Sequence, residues 1–131
     1  MRTVLAPLAA FTLLAGCTSV PGVGPTRLEG TSWRFDRIDG RGAAGNATLS
    51  FDAERLSASA GCNRMSAPWR HDGPFIVLTG PLISTRMACE GRMEDENAVS
   101  EMLQRRPEVV VAGERMRITS YGHRAELQLR K

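Results

Sequence analysis

The chain has 131 residues, with 17 Lys and Arg against 14 Asp and Glu, giving a formal net charge of +3 at neutral pH. That length fits a single domain, and that charge is too mild to argue for nucleic-acid binding. The basic residues are almost all Arg, with Lys131 the single lysine, a bias that genome base composition explains more simply than anion recognition.

The first element is a leader. Arg2 supplies a positive start, and Val4 to Gly16 is apolar or small apart from Thr12, with Pro7 as an interruption. This stretch falls short of the roughly 20 apolar residues that span a bilayer. It fits the core of a signal peptide covering residues 1–16. Leu13-Leu14-Ala15-Gly16-Cys17 resembles a bacterial lipobox. The resemblance implies cleavage before Cys17, diacylglycerol on its thiol and acylation of the new amino group; two or three acyl chains anchor stably. Residues 17–27 then form the lipidated cysteine and a flexible tether, since TSVPGVGPT holds two Pro and two Gly. The nine residues reach roughly 30 Å when extended. Thr18, in place of an Asp, permits sorting to the outer membrane. The expected product is a periplasm-facing domain held to the bacterial outer membrane by lipid on Cys17, with no nucleic-acid partner.

Strands come next. Ser32 to Asp39 carries Trp33, Phe35 and Ile38, nearly alternating with one slip, and a Gly-rich loop runs to Gly45. Ala47, Leu49 and Phe51 alternate cleanly with Thr48 and Ser50, as a strand with one buried face does. Arg55 to Ala60 predicts a weaker strand of small residues, Ser66 to Arg70 a short one, and Phe75 to Leu78 a more apolar one. His71-Asp72-Gly73-Pro74 is expected to be a polar turn. A helix is predicted over Glu90 to Arg106, with Ala98, Val99, Met102 and Leu103 on one face. Glu94, Asp95 and Glu96 at its start and Arg105 and Arg106 at its end suit the helix dipole, and Pro107 stops it. Strands over Glu108 to Ala112, Arg115 to Ser120 and Ala125 to Arg130 follow, with turns at Gly113 and at Tyr121-Gly122-His123. The fold class expected is α+β: a small antiparallel, strongly curved sheet or barrel with one helix covering an open end or face.

Three segments carry a family resemblance. LEGTSWRFDRIDG (28–40) resembles the opening strand of META domains, SASAGCNRMSAPW (57–69) their central G-C-N-R segment, and LISTRMACE (82–90) their T-x-M-A-C segment. Trp69 stands where an aromatic, often Tyr, is usual. The resemblance covers residues 28–131 and extends to heat-shock lipoproteins of the HslJ type. It implies an outer-membrane protein of envelope and heat stress tolerance, with a link to novobiocin-type antibiotic resistance. It implies no established reaction or cofactor.

The remaining cysteines, Cys62 and Cys89, are an even pair in an oxidising compartment, and a disulfide between them is expected. A nucleophilic Cys62 would need a base, yet His71 and His123 sit in turns and match no Cys-His signature. Two Cys and two His without paired spacing do not make a metal site. No carboxylate pair, triad or phosphate loop identifies a reaction. The expectation is a non-enzymatic monomer without catalytic residues, metal or cofactor. Asn63, Arg64, Thr85 and Arg86, drawn together by the disulfide, form a candidate patch for an envelope protein partner. The alternative reading is a periplasmic inhibitor or small-ligand-binding module.

Overall fold

In the computed structural model, residue 16 and residues 27–131 are described. The expected signal peptide over residues 1–16, except for Gly16, the lipid on Cys17 and most of the tether lie outside the described residues. The strands are β1 (Thr31–Ile38), β2 (Arg41–Gly42), β3 (Thr48–Phe51), β4 (Arg55–Ser59), β5 (Arg64–Asp72), β6 (Phe75–Leu78), β7 (Ile83–Ser84), β8 (Glu108–Ala112), β9 (Arg115–Ser120) and β10 (His123–Leu129), and the helix is α1 (Met93–Gln104).

Alternation builds the barrel. Trp33 and Phe35 of β1 point inward, and β1 pairs antiparallel with β3 on one side and β10 on the other. The slip in the β1 pattern is a register shift against β10 between Phe35 and Arg37. Such a bulge restores the inward direction at Ile38 and bends the strand. The order β1-β3-β4-β5-β6-β8-β9-β10 then returns to β1, closing an eight-stranded antiparallel barrel, with β2 beside β1 and β7 beside β5. Closure removes the exposed edges that an open sheet would carry.

The interior is filled by side chains. Leu49, Phe51, Leu56, Met65, Trp69, Ile76, Met116, Ile118 and Leu127 are buried with Trp33 and Phe35. Each fully buried large side chain contributes about 1.5–3 kcal/mol. The buried polar edges are satisfied: Trp33 Nε1 donates to Thr31 Oγ1 at 2.8 Å and Trp69 Nε1 to the Asp52 carbonyl at 2.9 Å. α1 buries Ala98, Val99, Met102 and Leu103 and packs against β6, β10, β1 and β9. No helix among the described residues is long and apolar enough to cross a membrane.

Several expectations are corrected here. α1 is shorter than the predicted Glu90 to Arg106: Arg105 is its C-cap and Arg106 lies beyond it, so no basic residue falls within the last turn. β5 runs from Arg64 through Asp72, so Trp69 sits within the strand and His71 pairs with Ile76 instead of lying in a turn. The turn is reduced to Gly73-Pro74, since Asp72 pairs with Phe75, and His71 lays its ring edge-on against Trp69 with centroids 5.0 Å apart. His123 likewise belongs to β10.

Candidate functional site

Gly61 opens the central motif with φ of +121°, and a Cβ there would stand 2.7 Å from the Cβ of Ala44. Both the backbone angle and the space require glycine. The turn lets Asn63 point inward, and only 2% of its surface is exposed.

Asn63 is a hub. Its backbone N–H donates to Glu96 Oε1 at 2.6 Å, and its Nδ2 donates to Glu96 Oε2 at 2.8 Å and to the Met87 carbonyl at 3.0 Å. Its Oδ1 accepts the Thr85 hydroxyl at 3.0 Å and the Met87 N–H at 2.7 Å. An asparagine amide offers two donors and two acceptors, so this one is fully used. A buried amide with every position paired specifies one arrangement of the segments around it.

Those segments are the start of β5, the stretch Ile83 to Met87, and the first turn of α1. Thr85 is held twice more against β5: its N–H donates to the Arg64 carbonyl at 3.0 Å, and its Oγ1 accepts the Arg64 N–H at 3.0 Å. Cys62 and Cys89 close the same region as a disulfide, with Cα atoms 6.3 Å apart. The sulfurs and a Glu96 carboxylate oxygen lie within 4.8 Å of one another. Disulfide sulfurs lack the thiolate character that metal binding needs, and both Glu96 oxygens already accept from Asn63.

The four residues of the expected patch therefore divide. Asn63 is buried and its amide engaged inward, and the Thr85 hydroxyl is likewise engaged, while Arg64 and Arg86 are exposed. Between and beside the arginines, Ile83 and Met87 are 63% and 56% exposed. The stretch is a short ridge pinned through its backbone, on which Ile83, Arg86 and Met87 are exposed together with Ser84, Thr85 and Ala88, and Arg64 is exposed beside it at the start of β5.

Glu96 was missed as a site residue. Its signal was present: Glu96, Val99 and Leu103 follow helical spacing, which puts the carboxylate on the buried face. Asp95 is buried as well and accepts Arg41 at 2.8 Å. A helix-dipole role alone would leave both acids in water.

A second cluster centres on His123. Its Nδ1 lies 2.8 Å from Asp39 and its Nε2 3.0 Å from Glu101. Hydrogen bonds to Asp39 and then Glu101 raise its pKa above the usual histidine value, against a smaller opposing effect of burial. Burial pushes Asp39 up, but the Arg124 N–H and His123 outweigh it and leave its pKa lowered.

Comparison with known proteins bears on both fold and family. No curated protein matches the chain. One structure solved by NMR is 21% identical and superimposes with a TM-score of 0.69, over 78% of this chain and 91% of its own. Another NMR structure, of a protein from Burkholderia xenovorans, is 21% identical with a TM-score of 0.63, over 87% of this chain and 97% of its own. Likeness at that identity speaks to the fold. The META domain model matches residues 26–131, and the chain belongs to the META domain family.

Proposed function

We propose that the protein is a non-enzymatic lipoprotein, tethered to the outer membrane through Cys17 and facing the periplasm, that supports heat and antibiotic tolerance by contact with an envelope protein. The observation carrying this reading is the ridge at Ile83 to Met87. Asn63, the disulfide and β5 immobilise it, yet its Ile83, Arg86 and Met87 side chains face outward. A preordered surface loses little entropy on binding, and Met and Arg are enriched in protein interfaces relative to the rest of the surface. The leader motif and the known character of META lipoproteins support the address and the physiological role.

Three experiments test it. A photo-crosslinking residue at Met87 should capture one envelope protein in intact cells, and the same residue at Arg130 should not; equal or absent capture at both positions removes the contact reading. For the address, inhibition of lipoprotein signal peptidase should accumulate precursor, and Cys17→Ala should release the domain from membranes. Deletion of the gene should increase sensitivity to heat and to novobiocin, and unchanged sensitivity to both counts against the stress role.

A further inference from the structure

We propose a second site, in the cleft between the Tyr121-Gly122 turn and the exit of α1, which holds an organic anion: one carboxylate or phosphate on a flat apolar body. The cleft is a shallow groove of about 550 Å³, open to solvent along most of its length, so a ligand there is held against the surface and not enclosed.

Backbone strain falls at two places on this cleft. The barrel has two hairpin turns of the same form. Asp39-Gly40 has φ of 49° and 78°, and Tyr121-Gly122 has 47° and 83°. Each joins directly paired residues, Ile38 to Arg41 and Ser120 to His123. Two-residue turns with both centres left-handed favour Asn, Asp or Gly at the first position. The first turn follows that rule. The second carries the chain's single tyrosine, 75% exposed. The exit of α1 repeats the pattern. Arg106 stands just past the helix cap with φ of 47°, where Gly or Asn is usual. Two positions that disfavour large side chains thus place large side chains on one cleft. Strain of this kind concentrates at ligand clamps.

The side chains of the cleft suit an anion. The Arg105 guanidinium stacks over the Tyr121 ring at 3.8 Å, and that of Arg106 over the Phe75 ring at 4.6 Å. Stacking uses the face of a guanidinium and leaves its in-plane N–H groups for a bidentate partner. Arg106 already meets Asp72, and Arg124 meets Glu126 at 3.1 Å. Arg105 has no carboxylate partner among the described residues, so its fork is available. Phe75 and Tyr121 also line the cleft and supply its aromatic surface, part of it already covered by the two guanidinium groups. Glu108 also lines the cleft, which suits a ligand with one anionic group better than a polyanion.

The test uses NMR titration of the whole chain with phenyl phosphate, with inorganic phosphate and benzyl alcohol as separate arms. Phenyl phosphate should give saturable shifts at the amides of residues 105–106 and 119–124. Either control should bind at least about tenfold more weakly. Tyr121→Asn suits the turn, so it should melt no lower than the parent while weakening phenyl phosphate about tenfold. Arg105→Gln should weaken it similarly. Absence of saturation overturns the proposal, as does equal affinity for inorganic phosphate or parental affinity in either variant. A clear fall in the melting temperature of Tyr121→Asn overturns it too, because Tyr121 would then serve stability.

Discussion

Asn63 sets the energetic scale of a single residue in this barrel. Its side-chain amide bonds Glu96 Oε2, the Thr85 hydroxyl and both backbone groups of Met87 at once, so truncation strands a buried carboxylate oxygen and part-buried groups of Thr85 and Met87, while the backbone N–H to Glu96 Oε1 is kept. Each unsatisfied buried group costs about 1–3 kcal/mol. Asn63→Ala should therefore lower the unfolding free energy by about 3 kcal/mol or more, read as a shift in the urea midpoint. Thr85→Val removes two hydroxyl bonds, the one to Asn63 Oδ1 and the one from the exposed Arg64 N–H, and should cost about 1–2 kcal/mol. Equal costs for the two would contradict a hub centred on Asn63. The sequence showed Asn63 as a polar turn residue, and its partner Glu96 is 33 positions away. Local pattern does not report which distant carboxylate closes on an amide.

Elements are joined by His123, which links β10 to the turn after β1 through Asp39 and to α1 through Glu101. Its folded pKa lies above the unfolded value of 6.5. The folded state therefore binds the proton more tightly, and the stability gained is fully present below pH 6.5. It is lost as pH rises through the folded pKa. Melting temperature should fall over that alkaline window, and His123→Gln should flatten the dependence; an unchanged profile in the variant would exclude the linkage. Asp39 acts in the opposite sense. Its pKa is depressed below 3.8, so its contribution is present above that value and lost as pH falls through the folded pKa. At the same scale, β6 and β8 pair at a single position, Phe75 with Glu108. Two backbone bonds flank it, Ile76 N–H to the Pro107 carbonyl and Val109 N–H to the Pro74 carbonyl. β1 and β10 pair over five positions. Hydrogen exchange should show the Ile76 and Val109 amides opening before those between β1 and β10, since local opening follows the sparsest pairing. The reverse order would place the weak seam elsewhere.

For the whole molecule, the Cys62–Cys89 bridge closes a loop with a sequence separation of 27. Loop-closure entropy for that length amounts to about 3.5 kcal/mol on the chain-entropy model. A domain of this size has about 5–15 kcal/mol in total. Reduction should lower stability by up to that amount in chemical denaturation, with the barrel still folded at moderate temperature because its core is independent of the bridge. A reduced protein as stable as the oxidised one would mean that Asn63 and Glu96 alone fix the region.

Period-two alternation in Ala47 to Phe51 and Arg115 to Ser120, the helical stripe from Ala98 to Leu103, and the Gly-rich turns were enough to read an antiparallel barrel with one helix. These signals are local: each strand or helix declares its buried face by its own spacing, and a closed barrel is the economical way to bury so many short faces. The ends of α1, the length of β5 and the inward turn of Asn63 and Glu96 were decided by tertiary packing. So was the meeting of Arg105, Arg106, Phe75 and Tyr121 in one cleft. Each of these depends on contacts between residues distant in the chain, or on a backbone angle that only the assembled barrel enforces. The central cysteine motif shows the division: its residues mark the family, while the barrel turns its asparagine into a buried hub and leaves its arginine facing water.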